Sequence, residues 1–311
     1  MAASLPSLSS AVTEAVSSAP PPLLSRRSLH NRRLLPPHAT PLRSPMKHVA
    51  SSSMKKSAFH VSDGAVNVDA EVEEEACELV NGVELSIDGV EAYLLRAVKN
   101  NNRTGLLLLS DIFGFQDSST RDFAYRIACN GYNVLVPDLF CGDPWTKNRP
   151  RSTFEQWREL QDPNRIQQDI TACTKWMVDE FAAAGISNKL GLIGFCFGGG
   201  RVVDVLASDQ YAFFSTGVSF YGTRMDLAAA ENVKVPVLFV TGDRDPLCEV
   251  EGLYEMERKI GKGSKTVVFE GRGHGFVHRP ETPEDDRDAE EAFAVMRNWL
   301  HEKLLCLVNN E

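Results

Sequence analysis

The sequence predicts an α/β domain built on a mostly parallel, doubly wound sheet flanked by helices. Three observations carry that expectation: short apolar runs recur along the chain, several of them are apolar without alternation, and helical patterns separate most neighbours. Continuous apolar runs are what parallel strands covered on both faces require. Strand–helix alternation is the mark of the doubly wound class.

The elements follow in order. A first strand is expected at 92–97, and the run GLLLLS gives a second at 105–110. A helical pattern at 118–130 leads to the strand NVLVP at 133–137, and a longer one at 164–184 leads to LGLI at 190–193. A helix at 201–208 precedes strands at 217–220 and 235–240, then come a helix at 249–261, a strand at 265–269 and a closing helix at 283–305. Residues 243–246, 261–265 and 271–275 punctuate this half as turns. GKGSK (261–265) lacks the spacing of a phosphate loop. The acids of EDDRDAEE (284–291) suit the N-terminus of the last helix and a solvated face. The alternation spans about 230 residues, within the size of a single domain, which is expected over 76–308 with no internal repeat.

Residues 1–60 depart from this pattern. They hold eight Lys/Arg against one acid, Glu14, and are rich in Ser and Pro. Such an N-terminus is the signature of an organellar transit peptide. The Ala after Met and the weak helical amphipathicity favour a chloroplast, and its stroma, over a mitochondrion; a secretory signal lacks its apolar core. Residues 61–75 read as an acidic, mobile lead-in. The segment 1–60 carries +7 of a total of −9, so residues 61–311 carry −16. An acidic body argues against nucleic-acid binding, and no apolar run approaches the roughly 18–20 residues of a membrane span. The oligomeric state is not legible. Seven scattered cysteines without a CxxC make a poor disulfide framework and a poor zinc site. No metal or other cofactor is expected, and most of the cysteines read as buried thiols.

One cysteine needs another explanation. In GLIGFCFGGG (191–200), Cys196 follows a short strand and precedes a helix, flanked by Gly194 and Gly198. A G-x-nucleophile-x-G sequence between strand and helix forces a sharp, strained turn that lifts the central side chain to the end of the sheet. A helix N-terminus then faces the thiol, which favours its anionic form, and the N–H of Phe197 becomes an oxyanion donor. An acid and a base should follow in chain order. Four of the seven histidines precede residue 61; His301 lies on the last helix, and His274 follows the strand at 265–269. His278 stands four residues on, but the intervening Gly275 argues against a helical metal pair. The strand at 235–240 runs into TGDRDP, which offers Asp243 and Asp245. The order Cys196, Asp, His274 is that of the α/β-hydrolase fold, with all three on loops at the carboxyl ends of strands.

These residues resemble the dienelactone hydrolase (carboxymethylenebutenolidase) family over about 76–306, through SDIFGF (110–115), VPDLF (136–140), GFCFGGG (194–200), SFYG (219–222), TGDRDP (241–246) and GHGFVHR (273–279). The resemblance implies a Cys-His-Asp triad of Cys196, His274 and Asp245, selecting Asp245 over Asp243. It implies Ile112 as the second oxyanion donor beside Phe197, and substrate binding by Tyr221 and Arg279. Asp111 stands where bacterial members carry a glutamate that positions the thiol. A second substrate-binding arginine is expected within 149–158. Arg279 falls five residues after the base, and an exposed pairing with Glu281 or Glu284 is its bland alternative. The expected activity is opening of enol lactones or activated esters, carboxylate-bearing ones included, through a thioester. A thioesterase or general carboxylesterase is the nearest alternative, and a non-catalytic binding or scaffold protein the alternative of another class.

Overall fold

A computed structural model describes residues 82–184 and 190–306. The proposed transit segment and acidic lead-in lie outside the described residues. The sheet has eight strands, β1 (Val83–Ile87), β2 (Val90–Leu95), β3 (Gly105–Leu109), β4 (Asn133–Pro137), β5 (Leu190–Phe195), β6 (Phe214–Phe220), β7 (Val237–Gly242) and β8 (Lys265–Phe269), in the order β1-β2-β4-β3-β5-β6-β7-β8. The pairs β1/β2 and β2/β4 are antiparallel and the remaining pairs parallel. The three central strands β3, β4 and β5 are buried at every position, as strands covered on both faces must be.

Strand β1 is not among the elements expected from the sequence. Its residues VELSI are mostly exposed, so it lacks the apolar signal of the others. Asp88 (φ 50°) and Gly89 (φ 88°) turn it into β2, and an Asp-Gly pair with both φ positive is the tight hairpin connection that matches strand twist.

The helices are α1 (Ser118–Cys129), α2 (Phe154–Glu159), α3 (Pro163–Ala183), α4 (Cys196–Ser208), α5 (Val250–Ile260) and α6 (Pro283–Leu300). Side-chain caps start three of them: Asp117 accepts from Ser119 N–H, Asp162 from Asn164 N–H, and Thr282 forms a capping box with Asp285. Helix α6 ends at Leu300 and a π turn covers His301–Leu305, in place of one helix to 305. Helix α2 carries no mark in the sequence, because six residues are too few for a periodic signal. Its Trp157 is buried, and its indole N–H donates to the Asp143 carbonyl at 2.8 Å. No helix among the described residues is long and apolar enough to cross a membrane.

Candidate active site

Helix α4 starts at Cys196 itself, five residues earlier than the helical pattern suggests. Three successive glycines hide that first turn from periodicity. Cys196 has φ 50°, the left-handed region that non-glycine residues avoid, so the turn holds strain at this residue. It persists because backbone packs directly on it. A Cβ on Gly198 would collide with the Leu109 and Ser110 carbonyl oxygens, so α4 lies against the end of β3. Gly198 N–H donates to Ser110 O at 3.1 Å, and Thr223 N–H to Cys196 O at 3.0 Å. The opening N–H groups of the helix, Phe197 among them, have no intrahelical acceptors.

The acid and the base sit on loops after β7 and β8. A Cβ on Gly242 would meet the Arg272 carbonyl, so only glycine lets the two loops touch there. Arg244 N–H donates to Arg272 O and Asp243 N–H to Phe269 O, which closes one loop on the other. Arg272 pairs with Asp285 and Asp288 of α6 and ties the histidine loop to that helix. In this frame Asp245 Oδ2 lies 2.7 Å from His274 Nδ1, while its Oδ1 accepts from Leu247 N–H. Asp243 is exposed and accepts from Gly271 N–H at 2.6 Å. The geometry therefore pairs Asp245, and not Asp243, with the histidine.

His274 Nε2 is buried without a hydrogen-bond partner. The Cys196 sulfur lies beside the imidazole and acts on it. Burial works against a charge on His274, yet the bond to Asp245 and the neighbouring Cys196 outweigh it and raise its pKa from 6.5 to about 10.

Cys196 and His274 open on a cavity of about 570 Å³ with Phe113, Phe154, Trp157 and Leu247 on its walls. The segment carrying α2 thus supplies much of the apolar lining. A second cavity, flanked by Asp88, Glu91, Asp138 and Asp169, lies away from this chemistry.

Three expected site residues have other tasks. Asp111 is buried, and its Oδ1 accepts from Phe113 N–H at 2.9 Å. Its Oδ2 takes His278 Nε2 at 2.9 Å and Arg279 Nε at 2.8 Å. Burial would raise this carboxyl, but His278 and Arg279 hold its pKa at about 2. Its partners are these and not the thiol, so it does not position Cys196 here. Arg279 lines the cavity and pairs with neither Glu281 nor Glu284, but its guanidinium is committed to Asp111, Asp117 and Ser119 and stacks on Phe113. Tyr221 is fully buried, and its hydroxyl bonds His278 Nδ1 at 2.6 Å instead of facing a substrate. Within 149–158, Arg149 pairs with Asp143 and only Arg158 lines the cavity. Arg201 and Arg224 also line it, although the sequence marks neither. The spacing of His278 from His274 suggests only a metal pair; its partners lie 57 and 167 residues away in the chain.

Burial raises Cys173 and Cys248 to about 12. Cys141 and Cys306 are exposed, and Cys129 is in a disulfide, against the expectation of buried free thiols. Among the described residues no His, Cys, Asp and Glu cluster is suited to a metal ion.

Comparison with known proteins places this geometry in context. The dienelactone hydrolase family model matches residues 90–304. A carboxymethylenebutenolidase homolog from Xenopus tropicalis is 32% identical over 228 residues, covering 71% of this chain and 90% of the relative. The human homolog is 30% identical over the same coverage. A crystal structure of a dienelactone hydrolase from Anabaena variabilis superposes with a TM-score of 0.55 at 18% identity, covering 73% of this chain and 98% of the other.

Proposed function

The chain belongs to the dienelactone hydrolase family and is a hydrolase of lactone or ester bonds, and on that premise we propose that it works through Cys196, His274 and Asp245. The observation that carries this reading is the strained Cys196 at the start of α4, beside a histidine whose Nδ1 is bound to Asp245 and whose Nε2 is left open. The Cys196 thiolate adds to the substrate carbonyl, and the developing oxyanion is held by the Phe197 and Ile112 N–H groups. The C–O bond breaks, the Nε2 proton of His274 passes to the leaving oxygen, and a thioester remains on Cys196. His274, now neutral, takes a proton from water. The hydroxide adds to the thioester, the C–S bond breaks, and the acid leaves with the thiolate restored. Asp245 keeps the reactive nitrogen at Nε2 throughout.

Lactones head the substrate class because of the name the vertebrate relatives carry. The apolar walls suit a compact hydrophobic acyl group, and the committed guanidinium of Arg279 leaves Arg158, Arg201 and Arg224 as the cavity's other cations. We propose further that residues 1–60 direct the chain to the plastid stroma, on the strength of their +7 charge and Ser-rich composition. Rapid quenching during turnover of a p-nitrophenyl ester tests the chemistry. Intact mass should show one acyl group that peptide mapping puts on Cys196. A quenched protein without adduct that keeps its turnover after Cys196→Ala would sink the reading, as would binding of lactones without any turnover.

A further inference from the structure

A hydrogen-bonded relay lies beneath the site, and the mechanism above does not use it. His278 is buried, with 1% of its side chain exposed, and both ring nitrogens are engaged. Its ring stacks on Phe195, the residue before Cys196, with centroids 4.2 Å apart and planes at 15°. Its partner Tyr221 has φ 38° and meets the catalytic His274 edge-on at 5.1 Å. Its other partner, Asp111, precedes the oxyanion donor Ile112 and accepts from Phe113 N–H just beyond it. Asp111 O also accepts from Gly114 N–H, and Ile112 O from Trp145 N–H. One imidazole therefore contacts the residue before the nucleophile, a tyrosine that packs on the base, and the residue before the second oxyanion donor.

The proton positions follow from the partners. An ionised carboxylate only accepts, so His278 Nε2 carries a hydrogen and donates to Asp111. Burial keeps His278 from gaining a second proton and keeps the Tyr221 phenol protonated. Nδ1 is then an acceptor, and the Tyr221 O–H donates to it.

Resting on the reading of Cys196 as nucleophile, we infer that His278 is a positioning residue for acylation: as the Nε2–H tautomer it joins Tyr221 to Asp111 and thereby fixes the turn that presents the Ile112 N–H to the reacting carbonyl. An inert core histidine would have no such consequence. Loosening the relay leaves the thiol and the cavity in place but blurs one oxyanion donor, so the loss falls on the acylation rate and not on substrate binding.

The test uses Tyr221→Phe, which removes a single hydroxyl from a packed ring, together with His278→Gln. Acylation by a p-nitrophenyl ester is followed before steady state beside alkylation of Cys196 by iodoacetamide, a displacement at carbon that forms no oxyanion. Acylation should fall by about tenfold in Tyr221→Phe, the equivalent of one lost hydrogen bond, and further in His278→Gln, with the dissociation constant of the ester before acylation and the alkylation rate unchanged. Wild-type acylation rates in folded Tyr221→Phe, or alkylation falling by the same factor as acylation, would overturn the inference. A second measurement is independent of turnover and of variant folding. In wild-type protein carrying ¹⁵N-labelled histidine, the His278 signals should be those of a protonated Nε2 and an unprotonated Nδ1. The reverse assignment overturns the relay. Failure of the functional reading would show separately, as undiminished turnover in Cys196→Ala.

Discussion

Cys196 sits at φ 50° with a helix beginning beneath it, and His274 stands beside it bonded to Asp245. Cys196→Ala should abolish turnover in a protein that still folds, because the side chain is only partly buried and the backbone strain does not depend on sulfur. Cys173→Ala and Cys248→Ala should keep most activity at some cost in stability, since both fill buried volume. Paired assays and melting curves separate the two patterns. Asp245→Asn should lower kcat on the order of 10⁴-fold by presenting the wrong His274 tautomer, as in serine triads. Asp243→Asn should be mild, because Asp243 holds only Gly271 N–H at the surface; the opposite ranking would refute the assignment of the acid. Chain order and turn chemistry made the placement of Cys196 on a strand–helix turn and the pairing of His274 with Asp245 readable from sequence. Asp111, Tyr221 and Arg279 were not readable in the same way, because their partners come from loops distant in the chain. Arg279→Met accordingly has a different expected outcome from that of a carboxylate-binding arginine. It should strip the cation from Asp111 and Asp117, lower the melting temperature, and slow a carboxylate-bearing lactone and its methyl ester by similar factors. A selective loss on the carboxylate would restore Arg279 to substrate recognition.

Elements were legible where burial was uniform and obscure where it was partial. Strands β3, β4 and β5 announce themselves as apolar runs because both faces are covered. Strand β1, exposed at three of its five positions, is held by pairing with β2 and carries no such mark. Helix α2 is set in place by Trp157, whose ring packs against Phe140, Trp145 and Phe154, so tertiary contacts and not propensity make it. The first turn of α4 was obscure for the opposite reason: glycine has poor helix propensity, yet here close approach demands it. Gly198→Ala is the corresponding test. The added methyl would push α4 off the Leu109 and Ser110 carbonyls and carry Cys196 and Phe197 with it. Both the melting temperature and kcat should fall, the first because the clash with backbone outweighs the gain in helix propensity. An Ala variant with wild-type kcat would show that the turn tolerates displacement.

At the scale of the molecule, charge divides the chain between a basic segment, 1–60, and a body of −16. If the segment is a transit peptide, protein from isolated plastids should have an intact mass lacking roughly the first 45–65 residues, the length such a signal implies. A full-length species in the cytosol would refute import. Within the body, two ionised side chains tie stability to pH in opposite directions. Asp111 falls from an ordinary 3.8 to about 2 on folding. A depressed carboxyl stabilises the fold above its unfolded pKa, and that contribution is lost as pH drops through the folded value. His274 rises from 6.5 to about 10, so between those values the folded protein binds a proton that the unfolded chain does not. Its stabilisation is complete below 6.5 and declines as pH climbs towards 10. These two groups together favour a stability plateau between about pH 4 and 6.5, with Asp111 setting the acid limb and His274 the alkaline one. Because Cys196 contributes to the His274 shift, Cys196→Ala should flatten the alkaline limb, and His274→Gln should remove this residue's share altogether. Urea midpoints measured from pH 4 to 9.5 on the three proteins decide it. Parallel alkaline limbs in all three would mean that the thiol and the imidazole are not electrostatically joined, and that the pair cannot act as a thiolate–imidazolium couple.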